Sequence, residues 1–134
     1  MNFNQLQPYL STQSDTVFVV NFWATWCKPC VGELPEFVKL EQEFKAQKFK
    51  LILVSLDLPK QLNERLIPFL KKNNMATRVI LLNDPDANQW IDKVDETWSG
   101  ALPATLIFTK NSREFYEKTM TLTELETIVK PKLN

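Results

Sequence analysis

The chain has 134 residues, 44% of them apolar and 24% charged, with 16 Lys plus Arg against 16 Asp plus Glu. This predicts a single domain over residues 1–134 with a real hydrophobic core, and the balanced charge supplies no positive field for nucleic acid. Histidine is absent, which excludes Ser-His-Asp triads, His-ligated zinc and His-held haem; two glycines, Gly32 and Gly100, cannot build a phosphate-cradling loop, and Cys27 and Cys30 alone make a poor structural zinc site.

The first basic residue is Lys28 and residues 1–8 lack an apolar run, so no signal peptide is predicted. The longest hydrophobic stretch, around residues 17–20, falls far short of the ~20 residues of a membrane helix, and the chain reads as soluble. A short helical segment opens the chain and a polar loop follows at residues 11–16. Residues 17–22 are β-branched and aromatic, as in a buried strand. From Cys30 the spacing turns helical, with Leu34, Phe37, Leu40 and Phe44 on one side and Glu36, Lys39 and Glu43 on the other, the last two being an i,i+4 pair.

Residues 49–56 are almost continuously apolar, the pattern of a parallel strand covered on both faces. A loop and helix over 58–74 should break or kink near Pro68. Residues 79–82 form a short strand, and Asp84-Pro85 predicts an N-cap and first position of a helix carrying Trp90 and Val94. Residues 104–109 and 114–119 read as an antiparallel hairpin. A helix over 121–130, stopped by Pro131, closes the chain. Alternating units followed by a hairpin predict an α/β fold, a central mixed sheet of four to five strands with helices on both faces. A right-handed crossover then puts Cys27 at the carboxyl edge of the first strand.

The run Asn21-Phe22-Trp23-Ala24-Thr25-Trp26-Cys27-Lys28-Pro29-Cys30, then Glu33-Leu34-Pro35, and far downstream Gly100-Ala101-Leu102-Pro103-Ala104-Thr105, resembles the thioredoxin superfamily, and within it the TlpA/ResA-like thiol-disulfide oxidoreductases. The resemblance covers nearly the whole chain from Val17 onward. It implies a thioredoxin fold, a redox-active Cys27–Cys30 pair with no organic cofactor or metal, and a role in cell redox homeostasis.

The residues support that chemistry directly. A Cys-x-x-Cys at a helix start places Cys27 beside unpaired backbone N–H groups and the positive end of the helix dipole, which favour thiolate and should lower its pKa from the free value of ~8.5. Cys27 can attack a substrate disulfide and Cys30 can resolve the mixed disulfide. Lys28 adds a nearby positive charge, Pro29 costs little in a first turn, and both are expected to join Trp26, Leu102 and Pro103 in binding substrate. A static staple is the competing reading, weakened because so short a loop restricts the unfolded chain little.

Glu33 lies one turn past Cys30 on nearly the same face and could relay its proton. The resemblance ties the glutamate at this position to thiol acid-base behaviour, with little expected contribution to the fold. The alternative is an exposed helix glutamate. Pro103 resembles the family's cis-proline facing the disulfide, with the backbone of Leu102 as the edge for an extended substrate segment and Trp26 as the exposed lip of that groove. Trp23, Trp90 and Trp98 are assigned to packing, Trp98 with at most a contact to the groove. Asn21 stands where thioredoxin proper has a buried aspartate, and it cannot act as a base. Lys118-Thr119-Met120 replaces a glycine that many relatives carry after the last strand, and Asp57 reads as a loop or capping residue.

The expected partners are protein thiols and disulfides and an upstream membrane or soluble thiol reductant, the chain acting as a monomer with neither nucleic acid nor metal. The resemblance places such proteins outside the cytoplasm. A disulfide oxidant or isomerase of the same fold and a non-catalytic thioredoxin-like binding module are the alternatives.

Overall fold

A computed structural model describes residues 1–133. The elements run α1 (Phe3–Leu6), β1 (Val17–Trp23), α2 (Lys28–Phe44), β2 (Phe49–Ser55), α3 (Ile67–Lys72), β3 (Arg78–Leu81), α4 (Ala87–Val94), β4 (Ala104–Phe108), β5 (Arg113–Tyr116) and α5 (Leu122–Val129). The five strands form one mixed sheet in the order β3-β2-β1-β4-β5. β1 runs parallel to β2 and β2 to β3, while β4 is antiparallel to both β1 and β5.

The strands' period of two sorts side chains between two cores. Val17, Val19 and Trp23 of β1, Leu51 and Leu53 of β2 and Ile107 of β4 pack with Phe37, Leu40 and Phe44 of α2 and Leu125 and Val129 of α5. Val20, Phe22, Ile52, Val54 and Leu106 face the other way, onto Phe3, Leu6, Trp90, Val94 and Trp98. Each fully buried apolar side chain of this kind contributes roughly 1.5–3 kcal/mol. Asn21, two residues from Val19 and from Trp23, therefore lies on the α2 side of the sheet, and it is fully buried.

Four local details differ from the sequence expectations. The fourth helix begins at Ala87 behind Asp86 and not at Asp84-Pro85, because the Asp84 carboxylate accepts from Phe3 N at 3.2 Å and from Asp86 N at 3.2 Å and so serves the chain start and the turn. Lys39 and Glu43 form no ion pair among the described residues; Glu43 instead lies 3.8 Å from Lys130, just past α5, which packs beside α2. The disturbance expected at Pro68 falls ahead of it, as a π-helical turn over Leu62–Leu66, and Pro68 occupies the tolerant first turn of α3. Pro131 does not end α5, which stops at Val129 and passes into a 3₁₀ turn at Lys130–Lys132.

Candidate active site

Cys27 is the N-cap of α2, with extended backbone, and its sulfur accepts from Cys30 N at 3.4 Å. The two cysteines are joined by a disulfide across the first turn, with Cα atoms 5.3 Å apart. Cys27 is 7% exposed and Cys30 is wholly enclosed, so only the first sulfur's residue meets solvent. Lys28 and Pro29 between them are exposed, and Trp26 just before them is 55% exposed. The helix start leaves backbone N–H groups directed at this end, the condition that favours a thiolate at Cys27 in the reduced pair.

β4 brings the second segment to the same end of the sheet. Its first residue, Ala104, pairs with Phe22, so Pro103 stands level with the end of β1 from which the Cys27 loop departs. The Leu102–Pro103 peptide bond is cis, in agreement with the resemblance; Pro103 is buried and Leu102 half-buried. The approach is held by Trp98 Nε1, which donates to Ala101 O at 2.8 Å, and by Ser99, whose N and Oγ donate to the Glu117 carboxylate at 2.7 and 2.8 Å. Gly100 has φ of +96°, a left-handed conformation that any side chain would strain. Trp98 itself is 3% exposed and reaches Phe22, Trp90 and Phe115, so it supports the loop from within and offers no surface to a substrate.

Glu33 is buried, only 1% exposed, in place of the solvated helix glutamate that was its alternative. Asn21 Nδ2 donates to its Oε1 at 3.1 Å, and Met120 N donates to its Oε2 at 2.8 Å. Asn21 and Thr105 are cross-strand partners, and the same amide nitrogen lies 3.1 Å from Thr105 Oγ1. The carboxyl group thus joins α2 to β1 and to the segment leading into α5, which corrects the expectation that it contributes little to the fold. Burial pushes its pKa up to about 7 from 4.5, against the opposing pull of the Met120 N–H and the Asn21 amide.

Asp57 is likewise more than a loop residue. It is 1% exposed, and its carboxylate accepts from Thr25 N at 3.2 Å, Thr25 Oγ1 at 2.7 Å and Ser55 Oγ at 2.6 Å. It ties the loop carrying Trp26 and Cys27 to the end of β2. Sequence reasoning missed this junction, and it missed the donors to Glu33. One signal was available: a polar Asn21 at an inward position of a buried strand needs a polar partner. Met120 carried no such signal, because it acts through its backbone. Among the described residues no group of three or more His, Cys, Asp or Glu side chains could hold a metal ion, and no helix is long and apolar enough to cross a membrane.

The sequence model of the AhpC/TSA family matches residues 4–113. The chain is 28% identical over 113 residues to the thiol-disulfide oxidoreductase ResA of Geobacillus kaustophilus, a match covering 80% of this chain and 58% of that protein. It therefore spans little more than half the length of that relative. Two solved structures show the fold. The thiol:disulfide interchange protein of the thioredoxin family from Chlorobium tepidum superposes with a TM-score of 0.73 at 20% identity, covering 96% of this chain and 85% of its own. A secreted thiol-disulfide isomerase from Corynebacterium glutamicum gives 0.75 at 15% identity, covering 95% and 74%. The fold expected from the sequence, a mixed sheet of thioredoxin type, is the one found.

Proposed function

The chain belongs to the AhpC/TSA family, and on that footing we propose that it is a thiol-disulfide oxidoreductase that reduces disulfides of protein substrates through its Cys27-Lys28-Pro29-Cys30 pair. The observation that carries this reading is the asymmetry of the pair: a helix-capping Cys27 with access to solvent beside an enclosed Cys30. In the reduced protein the Cys27 thiolate attacks one sulfur of a substrate disulfide. The substrate S–S bond breaks, a Cys27–substrate disulfide forms, and the departing substrate thiolate takes a proton from solvent. Cys30 then gives up its proton, attacks the Cys27 sulfur and releases the second substrate thiolate, which is protonated in turn.

Two electrons have passed to the substrate, and Cys27 and Cys30 are left joined. Glu33 serves as the proton acceptor for Cys30, since a buried carboxyl group with a pKa near 7 can both take and return a proton near neutral pH. The two sulfurs carry the electrons, so the cycle requires no metal or organic cofactor, and a dithiol donor must reduce the pair before each turnover. Reduction of a disulfide-bonded protein by the pre-reduced chain tests the reading. Stoichiometric release of substrate thiols is expected, and their absence would leave a non-catalytic binding module.

A further inference from the structure

The carboxylate of Asp57, just past β2, is buried and takes no part in the electron or proton steps of the proposed reaction. Its partners nevertheless lie on the segment that carries the reactive cysteine. Thr25 N donates to both carboxylate oxygens at 3.2 Å, and Thr25 Oγ1 donates to Oδ1 at 2.7 Å. Ser55, the last residue of β2, closes the group from the other side: its Oγ donates to Asp57 Oδ2 at 2.6 Å and accepts from Asp57 N at 3.1 Å. Leu56 N donates to Trp23 O at 2.8 Å and so aligns the two strand ends that bear these residues.

Thr25 stands inside the turn that delivers the sulfur. Only residues 24–27 separate β1 from α2. Cys27 N donates to Ala24 O at 3.1 Å, which closes a turn with Thr25 and Trp26 in its middle. Cys27 ends that turn and caps α2: its carbonyl accepts from Val31 N at 3.0 Å and its sulfur from Cys30 N at 3.4 Å. The turn is therefore anchored to the helix on one side and to Asp57 on the other. In the oxidised protein the S–S bond is a third tie. Reduction removes it, and the sulfur then depends on the turn to stay at the helix end, where the free N–H groups favour thiolate. Hydrogen bonds to a buried charged acceptor are of the strong class that can hold a backbone in this way.

We propose that Asp57 is a positioning residue for the thiol-disulfide reaction: through Thr25 it clamps the Cys27 turn so that, once the disulfide is opened, the sulfur stays at the amino end of α2. The proposal rests on the oxidoreductase reading above. Asp57 acts through Thr25 and neither makes nor breaks a bond. The consequence is asymmetric between the two redox forms. With the disulfide closed, the clamp duplicates a tie that already exists; with it open, the clamp is what remains. Its loss therefore penalises the dithiol form and its thiolate more than the disulfide form. A tie that served the fold alone would cost both forms equally.

The test compares the full chain with Thr25→Val, which removes the hydroxyl donor and keeps the branched shape, Thr25→Ser, which keeps the donor, and Asp57→Ala, which removes the acceptor. Thiolate absorbance against pH gives the lower apparent thiol pKa of the reduced protein. Equilibration with glutathione sets protein disulfide plus two glutathione thiols against protein dithiol plus glutathione disulfide. Lys28 and Glu33, the charged groups nearest the pair along α2, are the same in every variant, so differences between variants report the clamp. Thr25→Val should raise the lower apparent pKa by about one unit and move the glutathione equilibrium about tenfold toward the protein disulfide, a potential about 30 mV more reducing. Thr25→Ser should match the unaltered chain. Asp57→Ala should shift both readouts in the same direction as Thr25→Val, although loss of a buried negative charge by itself lowers the pKa of a nearby thiol. A lowered pKa in Asp57→Ala would make the role of Asp57 electrostatic and overturn the clamp; if that variant does not fold, the two Thr25 variants decide. Thr25→Val with both readouts unmoved and only a lower urea midpoint would also overturn it, as the mark of a tie that serves the fold alone. Both readouts are equilibrium properties of the two cysteines. Failure of the pre-reduced chain to reduce a protein disulfide is therefore a separate outcome, and it counts against the oxidoreductase reading alone.

Discussion

Asn21 Nδ2 donates to Glu33 Oε1 across 3.1 Å, joining the central strand to the helix that begins at the cysteines. The position held by an acid in thioredoxin proper is here a donor to an acid placed elsewhere. The buried titratable residue of this pair is Glu33 on α2, one turn beyond Cys30. The amide favours the ionised form of a carboxyl group that burial disfavours, so Asn21 helps to set where Glu33 titrates.

Asn21→Leu should therefore raise the Glu33 pKa above about 7. A hydrogen bond to a charged group is worth roughly 1.5–3 kcal/mol, which corresponds to an increase of about one pKa unit or more. The carboxyl carbon-13 shift of Glu33 followed against pH in the oxidised protein measures it. An unmoved titration would show that Met120 N alone holds the carboxylate.

Stability carries the same signature. An acid whose pKa is higher in the folded than in the unfolded chain binds its proton more tightly when folded. Its contribution is most favourable below 4.5 and is lost as pH rises from there through about 7. The interval corresponds to roughly 3 kcal/mol. Glu33→Gln cannot ionise, so urea unfolding of the oxidised proteins should show the unaltered chain losing stability relative to the variant between pH 5 and pH 8. Parallel pH profiles would mean that Glu33 titrates near its ordinary value.

How far the sequence carried this picture follows from which forces are local. The strand patterns, the helical spacing of Leu34, Phe37, Leu40 and Phe44 and the Cys27-Lys28-Pro29-Cys30 run report burial and backbone geometry within a few residues, and all were legible. The partners of Glu33 were not, because Met120 N is 87 residues away and donates whatever its side chain. Asp84 shows the same limit. Its local context, with proline next, reads as a helix start, yet Phe3 N, 81 residues away, takes its carboxylate. Asp57 stayed hidden because no pattern links it to Thr25 until β1 and β2 pair in parallel.

The unequal exposure of the two cysteines, 7% for Cys27 and 0% for Cys30, predicts unequal fates for their variants. Cys30→Ser should accumulate a mixed disulfide through Cys27 with a substrate or small thiol, since the resolving sulfur is gone. Cys27→Ser should not, because Cys30 is enclosed. Mass spectrometry of the trapped species decides between them, and equal yields from both variants would sink the assignment of Cys27 as the attacking thiol.

The proton role of Glu33 is tested on the reduced protein. Glu33 is three residues along α2 from Cys30, and both are buried, which makes a negative charge on either costly. Two negative charges so placed oppose each other, so removing one eases formation of the other. Glu33→Gln should lower at least one apparent thiol pKa, the values belonging to the coupled group of two thiols and one acid. The rate of disulfide reduction should change around the Glu33 titration near pH 7 in the unaltered protein, and the variant should lose that change. A role confined to holding Asn21 and Met120 would change stability and leave the thiols alone. Thiolate absorbance against pH separates the two: curves that superimpose would make Glu33 a structural tie, whereas a curve displaced to lower pH in the variant makes it the proton partner of the pair.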